Sequence, residues 1–171
     1  MNTDRQSSFY DAEIPQASRE LRELRTSPSY EPPFEVVRRR IIDDFYEGKL
    51  TIDATIVIRV GDLEETEAAR GVGVVNALDT ALRKALLKYF PSVAIIKVTE
   101  TYTHGSGEST EAEVVSVKKF SDGMQSWTTI AKSSDAVEAS WKSLVDGYEW
   151  RIYHEILKAR RASENPRLSR R

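Results

Sequence analysis

Gly71 to Pro91 reads GVGVVNALDTALRKALLKYFP. Two glycines open the stretch and an amphipathic helix follows. Val74, Leu78, Leu82, Leu86 and Tyr89 recur at helical spacing, with Ala77, Ala81 and Ala85 beside them. Asp79 stands four residues before Arg83, a favourable pair on a helix surface, and Pro91 ends the helix. Gly71 and Gly73 place no side chain over the first turn, so its N–H groups are open to a small anion. Glycine at 73 also permits a φ that other residues disfavour. The same two glycines also read as a tight strand-to-helix turn ahead of a core helix.

Strands precede this helix. Leu50 to Val60, LTIDATIVIRV, alternates strictly: Leu50, Ile52, Ala54, Ile56, Ile58 and Val60 against Thr51, Asp53, Thr55, Val57 and Arg59. Phe34 to Asp44 fits a strand with a bulge or a short helix. Gly61-Asp62 is a turn, and Leu63 to Arg70 a polar third strand that runs into Gly71. The order is β-β-β-α.

The pattern then recurs. Val93 to His104 reads as a strand and Gly105-Ser106-Gly107 as a loop. Thr110 to Phe120 is the next strand, Ser121-Asp122-Gly123 a turn, and Met124 to Lys132 the third strand. Asp135 is an N-cap candidate, with Glu138 placed to complete a capping box. The helix after it carries Val137, Trp141, Leu144, Val145 and Tyr148 on one face and continues past Trp150 through Arg161. Val75-Asn76-Ala77 overlays Val137-Glu138-Ala139, and Leu82 overlays Leu144, at one offset of 62 residues (137 − 75 and 144 − 82). The fold expected is α+β: two duplicated β-β-β-α units, two three-stranded sheets and two helices, in one pseudo-twofold domain. Repeat one spans 34–91 and repeat two 92–152.

Residues 1–33, polar and interrupted by Pro28, Pro32 and Pro33, read as a flexible arm; Ala17 to Arg25 is compatible with a short helix, but its apolar side is only Leu21 and Leu24, so almost no apolar burial is expected. The final 153–171 are a helix extension and a basic, solvated tail. Residues 1–33 and about 160–171 are expected to be dispensable for folding.

Composition bounds the chemistry. The chain has 171 residues, 40% of them apolar, and a net charge of −2, which offers nucleic acid no global attraction. It has no cysteine, hence neither disulfides nor thiol catalysis. No secretory leader or membrane-length apolar run is present, so a cytoplasmic protein is the default expectation. His104 and His154 share no metal-ligand spacing, and no Walker loop or nucleophile elbow occurs. No catalytic residue, metal or cofactor is expected.

GVGVVNALDTALRKAL resembles the G-x-G-P-V-x-A-x-x-x-A-L turn and helix of the C-terminal regulatory domain of the α-isopropylmalate synthase and citramalate synthase family. TETYTHGSGESTEAEV and SWTTIAKSSDAVEASWKSLVDGYEW resemble that domain's second repeat. The likeness covers roughly 34–152 in the right order. Val74 replaces the family's proline, and the catalytic barrel with its metal-binding His-x-His is absent, so the chain reads as a regulatory domain without its enzyme.

The resemblance implies a dimer that binds leucine or isoleucine near the subunit interface and modulates a separately encoded synthase. It places Gly71, Gly73 and Val75 on one wall of the site, Val98, Thr101 and Gly105 on the following strand and its loop, and Thr110 and Ala112 on the strand after. Glu100 is the candidate acceptor for the ligand's ammonium. Two rivals stand beside this reading: a dimerisation scaffold without ligand, and a module like the double-stranded RNA-binding domains, whose unit also pairs three strands with a helix. The RNA reading needs basic residues gathered on one folded face, whereas these helices mix Asp79, Arg83, Lys84, Glu138, Lys142 and Asp146.

Overall fold

The alternation at 50–60 becomes strand β2, Lys49–Val60, whose Ile52, Ala54, Ile56 and Ile58 side chains are all buried on one face. The computed structural model describes residues 14–106 and 113–164. β2 is the middle of an antiparallel sheet with β1 (Glu35–Tyr46) and β3 (Leu63–Gly71) at its edges. Glu47 and Gly48 join β1 to β2 with φ of 51° and 76°, the two positive angles that a two-residue hairpin turn requires.

The second sheet has the same order: β4 (Lys97–Ser106), β5 (Glu113–Ser121) and β6 (Ser126–Ser133). Two boundaries differ from the sequence reading. Pro91–Ile95 is a 3-10 turn, not the start of β4: Pro91 fixes its first φ, and a three-residue period sends both Val93 and Ile96 into the core. Gly105 and Ser106 belong to β4, paired with Val114 and Glu113, rather than to a loop. Gly107 lies outside the described residues.

The duplication is structural. β1 is irregular between Val36 and Arg38, and β4 between Val98 and Glu100. Gly61 and Gly123 carry the positive φ of equivalent turns. Gly73 and Asp135 each precede a helix, so the offset of 62 holds throughout (98 − 36, 123 − 61, 135 − 73). Within the described residues the fold is α+β, built from repeated β-β-β-α units.

A 3.6-residue period cannot serve an extended chain, so the apolar faces of 74–87 and 136–164 fold as helices and close over the sheets. Helix α2 (Val74–Leu87) buries Ala77, Leu78, Ala81, Leu82, Ala85 and Leu86 over β2 and β3. Helix α3 (Ala136–Glu164) buries Trp141, Leu144, Tyr148 and Ile152, packs on β5 and β6, and touches α2. Each fully buried leucine contributes roughly 1.5–3 kcal/mol. Gly147 of α3 leaves room for the Phe120 ring, which stacks on Trp127 at 5.6 Å. α3 also reaches the first sheet, where Arg39 of β1 bonds Glu138 at 2.8 Å and lies over Trp141.

Part of the expected arm is a packed helix. Helix α1, Gln16–Thr26, lies on β6 and α3, with Ala17, Ser18 and Leu21 buried. Ser18 Oγ accepts the N–H of Ile130 at 2.8 Å, satisfying the free edge of β6. Arg25 forks onto Glu149 and Asp146, each at 2.7 Å, and Trp150 donates to Glu20 at 2.7 Å. The apolar stripe is narrow because these polar anchors share the docking, and for that reason composition read it as free.

Candidate functional site

The Gly-x-Gly turn is tight at its first glycine and open at its second. A Cβ on Gly71 would press on the backbone of Ala77 and meet Asn76 Oδ1 at 2.7 Å. Asn76 bends back to accept the Val72 N–H at 3.2 Å, which fixes the turn. Gly73 is extended, with φ −166° and ψ 169°, a conformation any residue adopts, so the unusual φ that glycine permits is not used there. Apart from its two chain neighbours, no atom of the described residues lies within 4 Å of where its Cβ would be.

The two equivalent helix starts differ chemically. At α3 the Asp135 carboxylate accepts the Glu138 N–H at 2.7 Å and closes the end. Glu138 does not complete the expected box; its carboxylate goes to Arg39 and Lys142 instead. At α2 the equivalent residue is Gly73, and no side chain caps the helix. The partial positive charge of that end is left for another group to meet.

β4 lies beyond the cover of α3. Val98, Thr101 and Gly105 pair with Phe120, Lys118 and Val114, so they share the sheet's inner face. Thr101 and Gly105 are exposed there, while Val98 and Val75 are half-buried. Glu100 is on the other face. Strict alternation would put it beside Val98, but the irregularity between 98 and 100 reverses the parity. Its carboxylate accepts the Tyr102 hydroxyl at 2.9 Å and Lys119 at 3.2 Å, and these hydrogen bonds hold its pKa below the ordinary range. The structure therefore does not bring Glu100 together with Val98 and Thr101. Thr110 and Ala112 lie outside the described residues.

Sequence reasoning missed a polar cluster where the repeats meet. Tyr148 of α3 donates its hydroxyl to Asp79 of α2 at 2.6 Å. Burial first, and the Asp79 charge second, push the Tyr148 hydroxyl well above the ordinary tyrosine range. Arg83 lies over the Tyr148 ring and donates to the carbonyls of Val93 at 3.1 Å and Ile96 at 2.7 Å. Lys118 of β5 is buried, and burial pushes its ammonium below the ordinary lysine range against the pull of Asp79. One sequence signal points to Lys118: at the offset of 62 it stands where repeat one has Ile56.

Among the described residues no cluster of three or more acids and histidines is placed to hold a metal, and no helix is long and apolar enough to cross a membrane.

The model of the LeuA allosteric (dimerisation) domain matches residues 22–151. The chain is similar to the (R)-citramalate synthase of Geobacter sulfurreducens, 33% identical over 148 residues, or 84% of this chain and 28% of that protein. It is 32% identical over 156 residues to the Streptomyces coelicolor (R)-citramalate synthase, covering 86% of this chain and 28% of that one. With the Sulfolobus acidocaldarius (R)-citramalate synthase it shares 38% identity over 95 residues, 54% and 18% of the two chains. The chain thus spans less than a third of the length of these curated relatives. The duplicated β-β-β-α architecture and this match agree: the chain belongs to the LeuA allosteric (dimerisation) domain family.

Proposed function

We propose that this domain senses a branched-chain amino acid, leucine or isoleucine, at the open start of α2, and that binding modulates a separately encoded synthase of the citramalate or 2-isopropylmalate type. One observation carries the reading. Repeat two closes its helix start with the Asp135 carboxylate, whereas repeat one presents the same position as Gly73 with open space before it. The ligand's carboxylate takes the place at α2 that Asp135 takes at α3. Gly71 holds the turn, Gly73 leaves it uncovered, and Val75 and Val98 receive the branched side chain. Thr101 and Gly105 form the β4 side, and Thr110 and Ala112 belong to the segment that follows.

A second copy of the chain fits the tip of the β1–β2 hairpin. Phe45, Tyr46 and Leu50 are all more than half exposed there, and Ile42 lies nearby on β1. Exposed apolar side chains on both faces of this tip, Phe45 and Leu50 on one and Ile42 and Tyr46 on the other, favour burial in a twofold dimer. The RNA-binding rival finds less support, because Arg59 and Arg70 on the first sheet are paired with Glu35, Glu64 and Asp53.

A thermal-shift screen against the amino acids and their 2-oxo acids tests the reading. A ligand specific for the folded state adds about 2.7 kcal/mol at 100 times its dissociation constant. Stabilisation by leucine or isoleucine is expected. A melt indifferent to every member of the screen leaves the ligand-free scaffold as the better account.

A further inference from the structure

The two repeats diverge at the inner face of their sheets. Ala54 and Ile56 of β2 correspond, 62 residues on, to Ser116 and Lys118 of β5, and Leu78 and Ala81 of α2 correspond to Ser140 and Ser143 of α3. The hydroxyls answer one another. Ser143 Oγ bonds Ser116 Oγ at 3.2 Å and the Ser140 carbonyl at 3.0 Å, and Thr129 Oγ1 donates to the Ser143 carbonyl at 2.6 Å. None of them serves Lys118, which is 1% exposed. The only hydrogen bond of its ammonium among the described residues is a long one, 3.5 Å to Thr101 Oγ1. An ammonium has three donors, and a buried charge without acceptors is costly. Asp79 is the nearby acid, yet no hydrogen bond or ion pair joins it to Lys118; its Oδ1 accepts the Tyr148 hydroxyl, while Oδ2, 3.9 Å from Arg83 and beyond hydrogen-bond reach of it, keeps room to accept from an ammonium. Thr101 is exposed on the uncovered inner face of β4, so the bond from Lys118 leads to the surface.

We propose that Lys118 is the charged anchor for the effector's carboxylate, with the Thr101 hydroxyl as a second donor and Asp79 as the acceptor for the effector's ammonium. The inference rests on the amino-acid-sensing reading and deepens it. It supplies the full positive charge that a helix end offers only in part. It also replaces Glu100 with a carboxylate on the correct side of the sheet. An α-amino acid fits because its two charges match an ammonium on β5 and a carboxylate on α2.

The test is calorimetric titration of L-leucine, isovalerate and 4-methyl-2-oxopentanoate into the full chain, as wild type, Lys118→Met, Lys118→Gln and Asp79→Asn, each first shown to melt cooperatively. The expected result is that both Lys118 variants bind leucine and isovalerate at least tenfold more weakly. Asp79→Asn should lose leucine affinity and keep isovalerate. Two different side chains at 118 guard against one of them failing to fold. Leucine bound as tightly by either Lys118 variant as by wild type overturns the anchor and leaves amino-acid sensing standing. Wild type that ignores leucine, yet takes isovalerate or the 2-oxo acid through Lys118, supports the carboxylate anchor and overturns both the amino-acid reading and the role of Asp79. Wild type that binds none of the three overturns both.

Discussion

The hydroxyl of Tyr148 donates to Asp79 Oδ1 at 2.6 Å and so ties the helix of one repeat to the helix of the other. Arg83 completes the tie by holding the carbonyls of Val93 and Ile96, which precede and begin the approach to β4. Tyr148→Phe removes the donor while keeping the ring. Because the bond is to a charged acceptor that is partly solvated, the expected loss is about 1–2 kcal/mol in urea denaturation. A change below about 0.5 kcal/mol would show that water replaces the hydroxyl at no cost.

Gly147 and Gly73 should answer alanine to very different degrees. A Cβ at 147 would enter the Phe120 ring, which stacks on Trp127 and cannot swing away freely. Gly147→Ala should cost about 1–3 kcal/mol or more, despite alanine's better helix propensity. Gly73→Ala meets open space and needs no unusual φ, so only alanine's poorer fitness as an N-cap remains, and the loss should stay within about 0.5–1 kcal/mol. Denaturant melts of the two variants check this; equal losses would contradict the packing described.

The repeat was legible because each element carries a local signal: alternation in β2, a 3.6-residue period in α2, glycines at Gly61 and Gly123. Features set by long-range contact were not. Helix α1 has one fully buried leucine and docks through Ser18, Glu20 and Arg25, whose partners lie more than 100 residues away. The bulge in β4 leaves no mark in composition, yet it alone decides that Glu100 faces away from Val98. Lys118, next to Lys119, carries no local sign of burial. Only the overlay on Ile56 shows that its position is an inner one.

Docking of α1 has a measurable consequence. Leu21 is fully buried, so Leu21→Ala should destabilise the domain by about 2–4 kcal/mol. Deleting residues 1–27 should lower the melting temperature further, since it also uncovers the Ile130 N–H and takes the Arg25 charge away from Glu149. An unchanged melt for the deletion would restore the view of this segment as a dispensable arm.

Acid stability should depend on the β5–β6 turn. Burial alone would raise the Asp122 carboxyl, but the N–H groups of Gln125 and Met124 and the guanidinium of Arg151 outweigh it and hold its pKa at about 2. A depressed folded-state pKa gives stability that is present above the unfolded value, about 3.9, and is lost as pH falls through the folded one. The contribution of Asp122 should therefore fade between about pH 4 and pH 2. Arg151→Met should therefore destabilise the domain most at neutral pH, and its difference from wild type should shrink as pH falls from about 4 to about 2. A difference between the two proteins that does not vary with pH would count against the pairing.

Titration of L-leucine and L-isoleucine into wild type and Gly73→Asp tests the central claim most directly. The substitution gives α2 the carboxylate that Asp135 gives α3, in an extended conformation with room for it. The account predicts saturable binding of at least one of the two amino acids to wild type. It predicts that Gly73→Asp, with a melt equal to or a few tenths of a kcal/mol above wild type, binds neither. Equal binding by both proteins would place the site elsewhere, and no binding by wild type would contradict amino-acid sensing by this chain.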